Sequence, residues 1–445
     1  MPSYMVRKFA QTDDQTACSN EDSNSEPVRD DSNQKSLYSR RSALTLGASI
    51  AAILQSPTVT AQRTSTVERS GIQFREVQNA VEDLGMDPTG QKPIDSAIVR
   101  SGDDSLIQFP EGSYRFDADA SGVELANEVR GFEAVGEAVS FVAPEGYRGF
   151  SLSCTEMDGI YIDGIDIDQT APDASTGMRL CGDRVIVRDV ELLGGSDVRR
   201  GGCPVFSHAT LTPDGASRFE NVVATAGKSV RPVLGRPGIF IEEDHTGAVS
   251  IRDCDFREFP DAAVYAGQHS GTVAVRDSYF ENNTASIRIA GAGSSIERCE
   301  IVVDDAPARP CSGGANQQFR QYGIAVAQAD PAPLPSENGL PVRITDTSIQ
   351  VENVPIAGPA VAVPSSGSPL ELRNCDIEYN NDDAAVILCR KPGESSHPAR
   401  PLRMDGTTIT GNGSVDAAVV RGDGGAIERR DSPIRLPESS VEIHQ

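Results

Sequence analysis

Two histidines in matching sequence contexts are the residues best suited to chemistry. His245 and His269 lie in segments that align with each other, and each is followed by a hydroxyl residue and a glycine. The same alignment reads Ile241, Tyr265 and Arg288 at successive outward strand positions. Histidine titrates near neutral pH, while tyrosine and arginine can donate protons or stabilise negative charge. We therefore predict that the two histidines, the tyrosine and the arginine could remove the proton beside a uronic-acid carboxylate.

Three acidic residues directly before the first histidine extend this prediction to a metal. Glu242, Glu243 and Asp244 carry carboxylate oxygens, which are the ligands that Ca²⁺ prefers. We expect calcium as the cofactor if these residues bind a metal. The alternative is that the histidine segments are polar turns between strands and that the acids belong to a generally acidic surface.

A row of Asp and Asn residues offers a second kind of chemistry. These residues directly precede apolar strands: Asp261, Asn282, Asn283, Asn381, Asp382, Asp383 and Asp416. Neighbouring carboxylates could serve as the acid and base of a glycoside hydrolase. Adjacent strand residues point to opposite faces, however, and stacked Asn and Asp residues are a common way to build turns. If the protein is an enzyme, we expect a polysaccharide lyase rather than a hydrolase.

An internal repeat defines the elements that must position these residues. Nine short segments share apolar or small residues at positions 1, 4 and 6, and they start at residues 162, 187, 219, 251, 275, 296, 344, 372 and 404. Most neighbouring copies start a similar distance apart, but the interval between the copies at 296 and 344 is twice as long as the shorter intervals. We interpret this long spacing as two units, with a disguised copy near Gly323–Gln328.

Position 3 of each copy predicts a bend. Inward residues of a flat strand stay two apart, so inward side chains at positions 1 and 4 require a corner between them. Gly, Asn and Asp tolerate positive φ better than other residues. They dominate the residues found at position 3: Gly164, Asp189, Asn221, Asp253, Asp277, Arg298, Asp346, Asn374 and Gly406. Each copy therefore predicts two short strands joined by a one-residue corner.

A further apolar strand follows most copies. These strands occupy residues 238–242, 262–266, 285–289, 323–327, 359–363, 384–388 and 417–421. Short strands that recur about ten times predict an all-β fold, a parallel β-helix whose coils share one core. Because an open strand edge recruits other chains, we also expect a cap. Apolar residues at helical spacing predict an N-terminal capping helix within residues 75–92.

The cysteines divide into two predicted groups. Cys254, Cys299 and Cys375 occupy position 4 of the repeat and should be small core residues. Cys154 and Cys181 are about one coil apart in the sequence and could form a disulfide. No Cys-x-x-Cys pair typical of zinc sites occurs in the sequence.

The N-terminal residues predict export. Residues 1–38 are expected to be a disordered acidic leader, and residues 39–61 carry Arg40 and Arg41 before the apolar stretch Ala43–Leu54. That stretch rises about 18 Å as a helix, too little to span a bilayer core of about 30 Å. The segment resembles a twin-arginine signal, which implies an extracellular or cell-surface location.

The rest of the chain divides into four predicted regions. We expect a linker at residues 62–74, a cap with the first coils at 75–145, the β-helix at 146–430 and a C-terminal tail at 431–445. No later segment is apolar over the length that a membrane-spanning helix needs, so no transmembrane segment is expected in the mature chain.

The charge balance excludes some partners. The chain has 65 acidic and 40 basic side chains, a net charge of −25, which disfavours nucleic acids and anionic membranes. Only five of the basic residues are lysines. Many acids with few lysines are what we expect of a protein adapted to strong salt, where charges are screened over a few ångströms. An ordinary acidic exported protein is the alternative.

Two segments carry a family resemblance. Residues 83–90 and 109–114 are similar to the opening segments of the right-handed parallel β-helix (pectate-lyase-like) superfamily. Together with the arginine pair and the coils, the chain resembles exported β-helix proteins of halophilic archaea over about residues 75–430. The resemblance implies polysaccharide or cell-envelope glycan as the partner. It leaves two functions open, a polysaccharide lyase and a noncatalytic surface or adhesion solenoid. The absence of Trp and the aromatic content of 5% favour the second.

Overall fold

The predicted solenoid is confirmed by the computed structural model of the chain. It is an all-β, right-handed parallel β-helix of about twelve turns with very little helix. The structure describes residues 66–437 and 443–444, with gaps at 119–121, 127, 197–202, 226–235, 268, 292, 306–311, 314–316, 319–320, 327–339, 353, 355–357, 364–368, 383–384, 390–400, 416 and 422–425. The predicted leader and export signal therefore lie outside the described residues.

Three parallel sheets run along the solenoid, and each coil from Ser105–Phe109 onward contributes one strand to each. The first sheet contains Glu76–Asn79, Ser105–Phe109, Val129–Ala134, Gly159–Asp163, Val185–Leu193, Ala216–Ala224, Ala248–Arg252, Thr272–Arg276, Ser295–Glu297, Val342–Thr345, Leu370–Arg373, Leu402–Asp405 and Ile427–Arg430. The second contains the last residues of Val185–Leu193 and Ala216–Ala224 together with Gly112–Arg115, Val139–Val142, Asp166–Asp168, Asp255–Arg257, Tyr279–Glu281, Glu300–Val303, Ser348–Val351, Asp376–Tyr379, Thr408–Thr410 and Ile434–Arg435.

The third sheet contains Val123–Ala126, Arg148–Met157, Ser175–Gly182, Phe206–Ala209, Ile239–Ile241, Ala262–Ala266, Ala285–Ile289, Tyr322–Val326, Val361–Val363, Ile387–Cys389, Val419–Arg421 and Ile443–His444. Two short antiparallel pairs stand outside these sheets, namely Val67–Arg69 with Ile72–Phe74 and Ser312–Gly313 with Gln317–Gln318. Among the described residues, no helix is long and apolar enough to cross a membrane.

The predicted corner is confirmed at all nine repeat copies. Every position-3 residue has a positive φ, between 49° and 70°. A tenth corner that the repeat alignment missed lies at Asp431, with a φ of 44°. The corner side chains also bond from coil to coil: Asn221 Nδ2 donates to Asp189 Oδ1 at 2.6 Å, and the Arg298 guanidinium contacts Asp277 at 2.6 Å. The corner therefore separates the first sheet from the second and stacks in register.

Position 4 lies inside the corner, and the core role predicted for its cysteines is confirmed. Cys254, Cys299 and Cys375 are at most 3% exposed and alternate with hydroxyl residues along the column. Ser278 Oγ accepts the backbone N–H of Cys254, and Thr347 Oγ1 accepts that of Cys299. Each hydroxyl also donates to the carbonyl two residues earlier. The hydroxyl residues therefore provide hydrogen-bond partners for backbone groups at the corner, where pairing between the strands is interrupted.

The interpretation of the long spacing is wrong. Ser295–Glu297 pairs directly with Val342–Thr345 in the first sheet, so one coil separates them and no copy is hidden between. Tyr322–Val326, which contains most of the suspected copy, is the third-sheet strand of that coil. The extra length is an insertion, which a solenoid accommodates outside its stacked strands.

The capping helix predicted within residues 75–92 is also wrong. Glu76–Asn79 is a strand paired in parallel with Ser105–Phe109. The helix of this end is α1, Asp95–Arg100, whose Ala97 and Ile98 are buried against the core. The helical spacing arose from a hairpin strand and a sheet strand that lie next to each other in the sequence.

The suggested bridge between Cys154 and Cys181 does not form, and both thiols are free. Cys154 is in register with Leu180, while Cys181 is in register with Ala209 of the following coil. Neighbouring residues on a strand point to opposite faces, so a one-residue offset turns the two thiols away from each other.

A hairpin covers the outward face of the first coils. Residues 67–74, expected to be a linker, form two antiparallel strands. The hairpin and the sheet share a small apolar cluster made of Ile72, Phe74, Leu106, Tyr161 and Ile186. Beyond the hairpin, outward positions of the first sheet carry Arg and acidic residues that pair across coils, for example Arg276 with Glu297 and Arg403 with Glu428.

The last coil carries a charge where earlier coils are apolar. Arg429 is in register with the buried Met404, so it occupies an inward position of the repeat, yet it is exposed. An inward-pointing charge on an edge strand prevents other strands from adding to the sheet. We therefore interpret Arg429 as the residue that ends the stack.

The corner predicts a specific sensitivity to β-branched residues. Replacing Asp253 with Val should lower the free energy of unfolding by about 1–2 kcal/mol, because a β-branched side chain resists positive φ. Asp253→Gly should stay within about 0.5 kcal/mol, since glycine adopts this conformation freely. Thermal melting of both variants beside Ser250→Val, placed on the extended strand of the same coil, measures the difference. Equal losses in all three would contradict a left-handed corner.

Arg429→Ile should make the protein associate through its C-terminal end, because the open core would then present a continuous apolar edge. Sedimentation over a range of concentrations would show a monomer for the parent chain and larger species for the variant. Arg430→Ile adds the same side chain at the neighbouring outward position and should stay monomeric. Association of both variants to the same extent would show that surface apolarity, and not edge protection, is responsible.

Candidate functional site

The outward face of the third sheet brings chemically useful side chains into one row. In consecutive coils the register runs from Arg179 to Ser207, Phe240, Tyr265 and Arg288. The rungs of a parallel sheet are about 4.8 Å apart, so these side chains stand next to one another along the solenoid axis. Two of the four predicted catalytic residues, Tyr265 and Arg288, therefore lie together on this face.

The two predicted histidines lie on the other side of the sheet. His245 and His269 do stack in the same turn of adjacent coils, with ring centroids 5.1 Å apart. Both point into the solenoid, however, where they are 0% and 3% exposed. His208 of the preceding coil continues the column, with a ring centroid 6.0 Å from that of His245. The structure thus separates the histidines from the tyrosine and the arginine.

The backbone occupies the nitrogens of these rings. His245 Nδ1 accepts the N–H of Thr210 at 3.0 Å, which leaves its proton on Nε2, 3.3 Å from the carbonyl of Thr272. His269 places both nitrogens against carbonyl oxygens at 3.1 and 3.2 Å. Burial lowers the pKa of each ring to about 4. The rings are therefore neutral at ordinary pH; His245 links neighbouring coils through the backbone, whereas His269 contacts the backbone of its own turn.

Tyr265 has a different neighbour from the one the alignment indicates. Between these two coils, paired strand residues lie one position further apart in the sequence than the two histidines of the following turns. Tyr265 therefore pairs with Phe240 and not with Ile241. Ile241 is therefore inward and fully buried, whereas Phe240 is outward. The rings of Phe240 and Tyr265 are 5.3 Å apart, and the Arg288 guanidinium lies 4.5 Å from the Tyr265 ring centre. The face thus presents two aromatic rings followed by a cation.

Arg288 differs from the other arginines that stack on tyrosine. Arg257 lies over Tyr279 and is paired with Asp255 and Glu281, and Arg188, near Tyr161, is paired with Asp163. Within the part of the chain that the structure describes, the Arg288 guanidinium has no hydrogen bond and no ion pair. A guanidinium held by an aromatic ring, with its N–H groups free, is suited to binding a carboxylate in two-point geometry.

Asp261 and Tyr265 complete the surroundings of this cation. Burial raises the pKa of the Asp261 carboxyl above its usual range, and Arg288 acts against this shift. Burial likewise raises the pKa of Tyr265, which keeps its hydroxyl protonated. One Asp261 oxygen accepts the N–H of Ala262 at 2.8 Å. The cluster therefore offers a guanidinium, a phenol and a carboxyl to a ligand on this face.

The three predicted calcium ligands are not brought together. Glu242 is 3% exposed, and its oxygens accept bonds from Arg179 at 2.7 and 2.8 Å and from Ser207 at 2.6 Å. Burial opposes ionisation of Glu242, but these bonds outweigh it and hold its pKa below the usual range. Glu243 and Asp244 are exposed. Over the described ranges, no group of three His, Cys, Asp or Glu side chains is arranged to hold a metal.

The Asp and Asn row serves mainly to join coils. Asn283 bonds the backbone of Phe259 and Phe256, and Asn381 donates to the carbonyl of Val354. Asp382 accepts the N–H of Ser414 in the next coil. Asp383 and Asp416 lie outside the described residues. Asn283, Asn381 and Asp382 therefore act as the structural alternative expected, by satisfying turn backbone.

A shallow groove of about 310 Å³ lies on the second sheet. Its outward side chains come from four successive coils and are acids, hydroxyls, an amide and one valine: Glu300, Val302, Ser348, Gln350, Asp376, Glu378, Thr408 and Thr410. The groove has no aromatic ring and no arginine in its lining. It is therefore less suited to an acidic ligand than the third-sheet face.

Sequence reasoning missed Arg179 and Phe240. Arg179 contacts Glu242 two coils further along, a separation with no local sequence pattern. Phe240 could have been found by aligning the strands of neighbouring coils independently of the turns that follow them. Isolated aromatic residues at outward positions are the pattern that would have indicated it.

Comparisons with known proteins support the architecture. No protein-family model matches the chain, and no curated protein matches it. The solved structure of PfbA, a surface protein and adhesin of Streptococcus pneumoniae, is 13% identical, covers 82% of this chain and 98% of its own, and has a TM-score of 0.50. The A-module of mannuronan C-5 epimerase AlgE6 of Azotobacter vinelandii is 14% identical over 82% and 98%, with a TM-score of 0.35. The first comparison shows a shared β-helix fold, and the second is too distant to support an argument.

The buried histidines predict a loss of stability in mild acid. Their pKa near 4 in the folded chain lies below the ordinary value of about 6.5, so the unfolded chain binds more protons between these values. Stability should therefore fall as pH drops from about 6.5 towards 4. His245→Asn should lower the melting temperature at pH 7 but reduce its fall between pH 7 and 5.

The control is Ile241→Val, which should cost about 0.5–1.5 kcal/mol at every pH because it removes only a buried methylene. An unchanged pH dependence in His245→Asn would show that this ring is not buried and neutral.

Proposed function

We propose that the protein binds an acidic polysaccharide along the outward face of its third sheet, as a noncatalytic solenoid. The observation that carries the proposal is Arg288, stacked on Tyr265 and without a carboxylate partner among the described residues. A uronic-acid carboxylate supplies the two oxygens that a guanidinium fork accepts. The rings of Phe240 and Tyr265 offer apolar surface for sugar rings in the neighbouring coils.

The geometry of the coils suits a chain-like ligand. Successive residues of the row are about 4.8 Å apart, a distance comparable with the length of one unit in an extended polysaccharide. The two rings and the cation occupy three consecutive coils. A polymer lying along the axis would therefore meet them in order. The pneumococcal adhesin shares this fold, which is one precedent for a binding role.

The placement of the predicted bases supports binding without turnover. The buried histidines cannot reach a ligand on the outer face, and the raised pKa of Tyr265 keeps the phenol protonated. The catalytic role of these residues stays a prediction. A polysaccharide lyase is the second candidate function, favoured by the gathering of Tyr265, Arg288 and Asp261 on one face. Export to the cell surface, predicted from residues 39–61, would place the solenoid where such polymers occur.

The test compares two arginines in the same stacked geometry. Arg288→Gln should weaken binding of a polyuronate by about 10–100-fold, because it removes charge-assisted bonds of about 1.5–3 kcal/mol. Arg257→Gln should leave affinity unchanged, because Arg257 is already paired with two acids on the second sheet. Calorimetric titration with a polyuronate and its carboxyl-reduced form measures both effects.

Equal affinity of the parent chain for the carboxyl-reduced polymer would contradict the proposal, and so would unchanged binding by Arg288→Gln. The same samples, followed by ultraviolet absorbance of an unsaturated product, test the second candidate. Absorbance that grows with the parent chain and is lost in Tyr265→Phe would establish a lyase.

A further inference from the structure

Two tripeptides in the sequence match the acceptor pattern for N-linked glycans, which is Asn-x-Ser/Thr with x other than Pro. They are Asn282-Asn283-Thr284 and Asn412-Gly413-Ser414, and no other segment of the sequence fits the pattern. A glycan can be attached to a folded protein only where the asparagine amide is accessible. The two segments differ in this respect.

The first segment is closed. Asn282 is 6% exposed and has a positive φ of 53°. Its Oδ1 accepts the N–H groups of Asp304 and Asp305 at 3.0 and 2.9 Å, and its Nδ2 donates to Asp304 Oδ1 at 2.8 Å. The amide that would carry a sugar is thus used to hold the neighbouring coil.

The second segment is open. Asn412 and Ser414 are exposed, in the turn that follows Thr408–Thr410. Among the described residues, neither the amide of Asn412 nor the hydroxyl of Ser414 has a hydrogen bond. Their backbone is nevertheless fixed, because the N–H of Asn412 donates to Asn380 Oδ1 at 3.1 Å and that of Ser414 donates to Asp382 Oδ1 at 2.9 Å. The turn is ordered and its acceptor groups are free.

Two glycines explain why Asn412 faces solvent. A Cβ at Gly411 would lie 1.8 Å from the carbonyl oxygen of Tyr379, and one at Gly413 would lie 2.2 Å from that of Asn381. Both glycines rest directly on the preceding coil. The residue between them carries the exposed side chain of the turn, and that residue is the asparagine.

We propose that Asn412 is an N-glycosylation site and that Asn282, despite the same pattern, is not. The co-substrate is an oligosaccharide linked to a lipid through phosphate. Asn412 Nδ2 forms a bond to C1 of the first sugar, the C1–O bond to the lipid phosphate breaks, the amide loses one proton and the lipid phosphate leaves. The proposal rests on the predicted export, since the transferase works beyond the membrane, but it does not depend on what the third-sheet face binds.

The test uses the folded chain from residue 62, a purified oligosaccharyltransferase that accepts Asn-x-Ser/Thr, and its lipid-linked oligosaccharide. Peptide mass spectrometry then measures occupancy at both asparagines. We expect the glycan on Asn412 and at least tenfold lower occupancy on Asn282. Synthetic peptides spanning each segment should both be modified, which would show that the fold makes the difference. Asn412→Gln and Ser414→Ala should abolish the mass increase, whereas Thr284→Ala should leave it unchanged.

Three results would overturn the proposal. The first is an unmodified Asn412 in the folded chain when its peptide is modified, and the second is an unmodified Asn412 peptide. The third is equal occupancy of Asn282 in the folded chain, which would show that burial does not decide the choice. The polyuronate affinity is measured separately, with and without the glycan. Because Asn412 and the third-sheet face lie on different parts of the coil, failure of this inference can be distinguished from failure of the proposed function.

Discussion

From the coil of Gly164 onward, each coil turns from the first sheet into the second through one residue with positive φ, and the register of these coils depends on that turn. The corner lets two inward side chains stand three residues apart, which closes the core around a short strand pair. Because these coils turn at the same place, their strands pair in register and their side chains form columns. Gly, Asp and Asn at the corner make this conformation accessible at low cost.

A column of stacked side chains is restricted in composition inside the solenoid but not outside it. Inside, a column must be apolar or must satisfy its own polar atoms, and His208 and His245 do so by bonding the backbone of neighbouring coils. Outside, a column can vary from coil to coil. The first sheet fills its outer columns with Arg and acid pairs, while the third sheet carries, beside two aromatic rings, an arginine that forms no ion pair among the described residues. That contrast, more than any single residue, is the reason we propose the third sheet as the binding face.

The fold could be predicted because its determinants are local and repeated. The corner residue and the alternation around it lie within six positions, so Asp253 or Asn374 each indicated the bend that the structure contains. Features that depend on the distance between copies could not be predicted. The sequence distance between paired strand residues exceeds that between the following turns by one residue, so Tyr265 lies beside Phe240 instead of Ile241. The insertion before Val342 imitated a missing copy for the same reason.

The site was predictable only in part. Tyr265 and Arg288 were found because the repeat specifies outward parity, whereas the histidines follow the strand in a turn whose direction the repeat does not define. Burial and long-range pairing, such as Arg179 with Glu242, become visible only once the coils are stacked.

Hydroxyl-radical footprinting tests the central claim most directly, because Tyr265 and Tyr279 are both partly exposed and both lie beneath an arginine, on different sheets. With a saturating acidic polysaccharide, oxidation of Tyr265 should fall several-fold while oxidation of Tyr279 stays constant. Protection of Tyr279, or unchanged oxidation of Tyr265 with the polymer bound, would contradict the account.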